Sequence, residues 1–266
     1  MKLFEFLEEG GYAPRKGLSQ NFLTDPNILR KIVKTAEVNE NDLVVEIGAG
    51  PGALTETLLE TGAKVIAIEI DRRFANELPR LNNGNLEVLE ADILEVSFAE
   101  LLKNRGPAKI VANLPFHLTS PILGKILPHK ELFSSSTIVV QKEVADRMCG
   151  KVCTKNYSTL TLFLQFYTDI TARFEVSRNC FYPRPNIDSS VVRFDLKTPP
   201  DIDKEKLFSI IHTAFQQRRK MLRGSLSKLL SKPEIEKILE EIGTHAGARP
   251  EELTLDQFIS LTNKIG

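Results

Sequence analysis

One stretch constrains this chain more than any other. Residues 42–70 read "DLVVEIGAGPGALTETLLETGAKVIAIEI": an apolar run, a glycine cluster, an amphipathic helical pattern ending at Gly62, and a second apolar run. A strand, a crossover helix and a second strand of this kind make a parallel pair, and parallel strands need cover on both faces. The alternation continues through "RRFANELPRL", "LEVLEAD", "KIVANLP", "PILGKILPH" and "STIVVQK", which predicts an α/β architecture built on a mostly parallel sheet. "ITARFEV" and "SSVVRFDL" are separated only by "SRNCFYPRPNID". So short a connection predicts antiparallel neighbours at one edge of the sheet.

The 266 residues allow two domains. An arm is expected over 1–40, in which Asp25-Pro26 starts a helix with Ile28, Leu29, Ile32 and Val33 at helical spacing. A catalytic domain is expected over 41–197. "KTPPDID" reads as a linker, and 198–266 read as all helix, from "KEKLFSIIHTAFQQRRKMLRGSLSKLL" through "KPEIEKILEEIG" to "TLDQFISLTNKI".

The glycine loop predicts a ligand. Gly48, Gly50 and Gly52 let the backbone turn tightly and let a ligand approach closely. Gly48, Gly50 and Ala53 fit the dinucleotide fingerprint, with Glu69 placed 21 residues beyond Gly48, where a ribose-binding acid would stand. A purely structural glycine turn is the plain alternative. Glu46 before the loop, Pro51 within it and Asp92 of "EADIL" tilt the reading from a nicotinamide cofactor to S-adenosylmethionine. Glu69 is then the acceptor for ribose hydroxyls, Asp92 faces the adenine, and the loop abuts the methionine part.

"ANLPF" predicts the chemistry. The Asn113 amide oxygen and the Leu114 carbonyl can each accept one hydrogen from an exocyclic amine. Pro115 restricts Leu114 to extended backbone and so aims its carbonyl. Phe116 offers a ring face for a base, a stack of about 1–3 kcal/mol. Such a site works by in-line positioning without a strong general base. The plain alternative is a strand-end turn with a core Phe.

The motifs "GLSQNFL", "VVEIGAGPGALT", "AIEID", "EADIL", "ANLPF", "FYPRPNIDSSV" and "AFQQRRKMLRGSL" occur in that order. Together they resemble the KsgA/RsmA family of small-subunit ribosomal RNA adenine N6,N6-dimethyltransferases. The resemblance runs from Ser19 through the C-terminal helices. It implies a Rossmann-like class I S-adenosylmethionine-dependent methyltransferase with a mostly parallel sheet and an antiparallel edge strand, plus a small all-helical C-terminal domain. It implies methylation of two adjacent adenosines in the 3'-terminal hairpin of small-subunit rRNA within an immature 30S particle. By matching motif, Asn21, Leu23, Gly48, Gly50, Glu69, Asp92 and Asn113 would bind the cofactor. Phe181 would be a second ring against the target base. Relatives usually carry Tyr where this chain has Phe116.

Thirty-five basic and 35 acidic residues leave zero formal net charge, so RNA contact must come from local clusters. Arg218, Arg219, Lys220 and Arg223 form the expected one, with Arg219 and Arg223 on one helix face. Arg15, Lys16, Arg178 and Arg184 are further candidates; a solvated charged face is the plain alternative. Neither Cys149, Cys153 and Cys180 nor the four histidines show metal-ligand spacing, so no metal is expected and the thiols are read as free. The opening "MKLFEFLEEGG" lacks the apolar run of a signal peptide and no run is long enough for a membrane span. A cytoplasmic monomer is expected. The alternatives are a non-catalytic RNA-binding assembly factor on the same scaffold, a large-subunit rRNA adenine methyltransferase and, most distantly, a nicotinamide dehydrogenase.

Overall fold

The computed structural model describes residues 12, 15, 20–218 and 220–265. The apolar runs form strands. Strand β1 is Phe22–Leu23, β2 Leu43–Ile47, β3 Lys64–Glu69, β4 Leu86–Glu90 and β5 Ala108–Asn113. Strand β6 is Phe133–Gln141, β7 Thr168–Val176, β8 Phe181–Tyr182 and β9 Ser189–Leu196. Seven of them make one sheet in the order β4-β3-β2-β5-β6-β9-β7. The strands from β4 to β6 run parallel, and β9 runs antiparallel to β6. The sequence shows why β2 and β3 lie inside the sheet: their apolar runs are buried on both faces, whereas edge strand β4 is at most half-buried and keeps Glu87 and Glu90 exposed.

Helix α1 (Pro26–Thr35) starts where the sequence predicts. Asp25 accepts from the N–H groups of Asn27 and Ile28, and Leu29, Ile32 and Val33 are buried. Helix α2 (Ala53–Leu59) follows the glycine loop. At Gly52, φ is +92° and an added Cβ would come 2.6 Å from Leu81 Cδ1. Only glycine fits there. Strand β1 pairs antiparallel with β8, with Leu23 opposite Phe181 and Phe22 opposite Tyr182.

The chain divides into two compact units. One is Met1–Ala145 with Asp169–Lys197; the other is Asp146–Thr168 with Thr198–Gly266. The second unit therefore takes helix α3 (Thr159–Tyr167), which the sequence reading assigned to 41–197. In it, Phe163, Phe166 and Tyr167 of α3 pack on Phe208 of α4 (Lys204–Gln216), with ring centroids 5.3, 5.3 and 6.2 Å from it. Then come α5 (Leu222–Ser225), α6 (Lys232–Glu241) and α7 (Leu255–Lys264).

One expectation is corrected. "FQQRRKMLRGSL" is not one continuous helix: α4 ends at Gln216 and helix resumes only at Leu222. Met221 is extended (φ −63°, ψ 146°), and the N–H of fully buried Leu222 donates to Ala248 O at 2.8 Å. Seating Leu222 in the core accompanies the break in the helix; the expectation for Arg219 falls outside the described residues.

Candidate active site

Strand order reverses at β2, which has β3 on one side and β5 on the other. The crevice beyond the carboxyl ends of strands at such a point is where open α/β sheets bind ligands. Gly48 follows β2, Glu69 ends β3 and Asn113 ends β5. The register pairs Ile47 with Ala112, so Gly48 and Asn113 stand side by side. A Cβ on Gly48 would lie 3.8 Å from Asn113 O.

Glu69 is 5% exposed. Its Oε2 accepts from Gly50 N–H at 2.7 Å and its Oε1 from Asp71 N–H at 2.8 Å. Burial pushes its carboxyl above the ordinary range, while these backbone donors pull the other way. Gly50 reaches Glu69 through φ +54°, and a Cβ there would press to 3.2 Å on the Phe22 ring. Behind the loop Glu46 is 1% exposed and accepts from Thr55 Oγ1 at 2.6 Å. Burial lifts its pKa to about 8 against the Thr55 hydrogen bond, and the nearby Glu69 charge adds to the rise. The Gly50 N–H that a pyrophosphate would need is already donated to a carboxylate, and a second acid lies behind it. With that N–H taken, the loop has one donor fewer for a pyrophosphate, while the Glu69 carboxyl at the strand end offers acceptors to a ribose diol. The residues present therefore fit S-adenosylmethionine.

Asn113 Nδ2 donates to Asn21 O at 2.9 Å, which leaves Oδ1 as the end of the amide available to an amine. Leu114 is buried and donates its N–H to Val139 O at 3.3 Å. Gln20 Nε2 donates to Asp71 Oδ2 at 3.1 Å. Hydrogen bonds from Arg73 hold Asp71 low, at about 2.

One cavity thus gathers Asn21, Gly48, Gly50, Glu69, Asn113 and Leu114. Leu23 lines a smaller adjoining cavity with Glu46, Gly48 and Asn113. Asp92 stands outside both linings, half-buried, its Oδ1 accepting from Leu94 N–H at 2.8 Å. Phe116 opens the short turn Phe116–Leu118; its side chain lies outside the described part of the structure. Phe181 departs from the expectation of an open ring. It is 4% exposed in the apolar cluster with Leu23, Leu29 and Val176, and the exposed ring of its motif is Tyr182. The sequence reading assigned no role to Gln20, Phe22, Ile70 or His117, yet all four line the cavity that holds Glu69 and Asn113. Ile70 carried a signal: an apolar residue directly after a strand-end acid, here 50% exposed, offers a face to a planar base.

The basic cluster is partly neutralised within the second unit. Arg218 donates to Lys155 O at 2.6 Å and Thr154 O at 2.7 Å, with Glu251 3.8 Å away. Arg223 pairs with Glu236 of α6. Lys220 is exposed, while Arg219 and Lys16 lie outside the described residues. In the first unit Arg15 lies 3.7 Å from Asp71, and Arg178 is bound to Asp188 at 2.9 Å; Arg184 is exposed.

Comparison with known proteins gives one family model, ribosomal RNA adenine dimethylase, matched over residues 12–265. A ribosomal RNA small subunit methyltransferase A from Protochlamydia amoebophila (strain UWE25) is 48% identical over 98% of this chain and 94% of its own. The structure of a dimethyladenosine transferase from Plasmodium falciparum superposes with TM-score 0.74 at 28% identity, covering 90% of this chain and 95% of that one. That of the 23S rRNA methyltransferase ErmE gives 0.70 at 26% identity, covering 92% and 99%.

Proposed function

Because this chain belongs to the ribosomal RNA adenine dimethylase family, we propose that it methylates N6 of two adjacent adenosines in the 3'-terminal hairpin of small-subunit rRNA, using S-adenosylmethionine. The observation that carries this reading is the Asn113 amide. Its donor end is committed to Asn21 O, and its acceptor end is left beside a cavity shared with Glu69.

Bound there, the cofactor supplies a methyl group already activated by its sulfonium charge. Glu69 would accept from the ribose hydroxyls, Ile70 would support the adenine, and Gly48 would let the methionine part approach the backbone. Asn113 Oδ1 and the Leu114 carbonyl accept the two hydrogens of the target amine. As the amine nitrogen gains positive charge these hydrogen bonds strengthen, so they favour the transition state over the ground state. Phe116 supplies the stacking ring. Phe181, being buried, serves by holding β1 and its neighbour Asn21 in place. Asp92, two residues beyond the end of β4, would accept from the adenine amine.

Identity to small-subunit relatives is well above that to the large-subunit enzyme, which favours the 30S precursor as the partner. The action is then cytoplasmic, on a ribosomal particle, by a monomer. The retained acceptors argue against a purely non-catalytic role.

The test is incubation with labelled S-adenosylmethionine and immature small subunits, followed by nucleotide mapping. Dimethyladenosine at two adjacent positions of the terminal hairpin is expected. Label confined to large-subunit RNA would overturn the substrate assignment. Asn113→Ala should cut the single-turnover rate by about 10²-fold with a smaller loss of cofactor affinity; an unimpaired variant would remove the amide from the mechanism.

A further inference from the structure

A series of hydrogen bonds links the end of β3 to the end of β5 by way of the segment before β1. Asp71 donates its N–H to Glu69 Oε1 at 2.8 Å. Its own Oδ2 accepts from Gln20 Nε2 at 3.1 Å. The adjacent Asn21 O accepts from Asn113 Nδ2 at 2.9 Å. Beyond Asn21 the chain is fixed by the pairing of Phe22 and Leu23 with β8.

We propose that Gln20 and Asp71 are positioning residues for methyl transfer: Asp71 tethers Gln20, Gln20 holds the Asn21 carbonyl on the Asn113 amide, and Asn113 Oδ1 is thereby kept toward the target amine. This rests on the methyltransferase reading above. The physical need is specific. A carboxamide has an acceptor end and a donor end of nearly the same shape, and its hydrogen-bond partners decide which faces a ligand. Turned over, Asn113 would present two N–H donors to an amine that also donates. A carbonyl held against Nδ2 prevents this.

Asp71 is built as a fixed anchor. It is 1% exposed, and Arg73 binds both of its oxygens, Nε to Oδ1 at 3.0 Å and an Nη to Oδ2 at 2.6 Å. Arg15 adds a second positive charge at 3.7 Å. Only Ile70 separates Asp71 from Glu69, so a single turn carries both the ribose acceptor and the anchor for the amide. The position of the cofactor and the orientation of Asn113 are set from one place.

Gln20 gives the cleaner test, since Asp71 also caps the helix that follows it. Gln20→Ala, Gln20→Glu and Gln20→Lys are compared with wild type in single-turnover transfer to immature small subunits, in calorimetric cofactor affinity, and in solvent exchange of the Asn113 side-chain amide by NMR. Gln20→Ala should slow transfer about tenfold, the scale of a lost hydrogen bond to a charged group. It should change cofactor affinity less and speed Asn113 amide exchange. Gln20→Glu sets a carboxylate against Asp71 and should be slower still. Gln20→Lys restores a donor and should return to within about threefold of wild type. Wild-type rates and exchange in Gln20→Ala, or a Gln20→Lys enzyme as slow as Gln20→Glu, would overturn the tether. A wild-type protein that transfers no methyl group to these particles would instead overturn the function on which it rests.

Discussion

Glu46 and Asp71 show how burial and partners give similar carboxyls opposite behaviour. Glu46 has only the Thr55 hydroxyl to offset its burial and the Glu69 charge, and titrates at about 8. Below its ordinary range, near 4.5, it is protonated in both folded and unfolded chains. From there to about 8 the unfolded chain gives up the proton while the folded chain keeps it, so stability falls as pH rises. The slope contributed is at most about 1.4 kcal/mol per pH unit. Glu46→Gln should remove that slope: urea unfolding at pH 5 and pH 8 should show the variant gaining on wild type at the higher pH. A constant difference would mean that Glu46 is ionised in the folded protein. Asp71 has the reverse sign. Its carboxyl, held at about 2 by Arg73, adds stability above its ordinary range near 3.8, and that stability is lost as pH falls through about 2. Neither ionisation state was legible in the sequence. "VVEIG" and "AIEID" place the acids at strand ends, but burial and the Arg73 contact decide which one keeps its proton.

At the scale of elements, the period of apolar residues made β2, β3, β5 and α1 readable, because each buries a face set by its own sequence. The same reasoning failed where a distant partner decides the backbone. Residues 217–221 have helix-forming composition, yet Leu222 donates to Ala248 and is drawn into the core. Helix α3 has no sequence mark tying it to the C-terminal helices; Phe163 and Phe208 meet across 45 residues of chain. Phe181 was legible as an aromatic in a proline-stiffened loop, but its burial follows from pairing with Leu23 of β1. The candidate site divides the same way. Asn113-Leu114-Pro115 is a local motif, whereas the Gln20–Asp71 contact spans 51 residues. Arg218 illustrates the consequence for mutation. Its guanidinium closes on the carbonyls of Thr154 and Lys155, so its first duty is to the loop before α3. Arg218→Ala should lower the stability of the protein by about 1 kcal/mol, seen as an earlier thermal transition, with cofactor affinity unchanged by calorimetry. If thermal stability holds while RNA binding falls, the guanidinium serves RNA rather than the loop.

The molecule as a whole carries no net charge, so attraction to an rRNA particle cannot come from a uniform field and must come from cations that lack acidic partners. Arg223 is matched by Glu236 and Arg218 lies near Glu251. Lys220 and Lys228 are exposed beside Met221 and Leu229, two of the larger exposed apolar side chains at 41% and 47%. This stretch of the second unit offers phosphates a positive charge and offers unpaired bases an apolar surface. Arg223→Ala would also strip Glu236 of its partner, which makes it an ambiguous probe. Lys220→Ala combined with Lys228→Ala is the informative one, since both remove charge from exposed positions without opening an ion pair among the described residues. The double variant should bind immature small subunits more weakly, and its log–log salt slope should flatten by up to about 0.9 for each duplex phosphate that is no longer neutralised. Methyl transfer at saturating particle concentration should be unchanged, because Glu69 and Asn113 belong to the other unit. A slope equal to that of wild type would make these lysines a solvated face, and recognition of the particle would then have to be sought around Arg184 of the first unit.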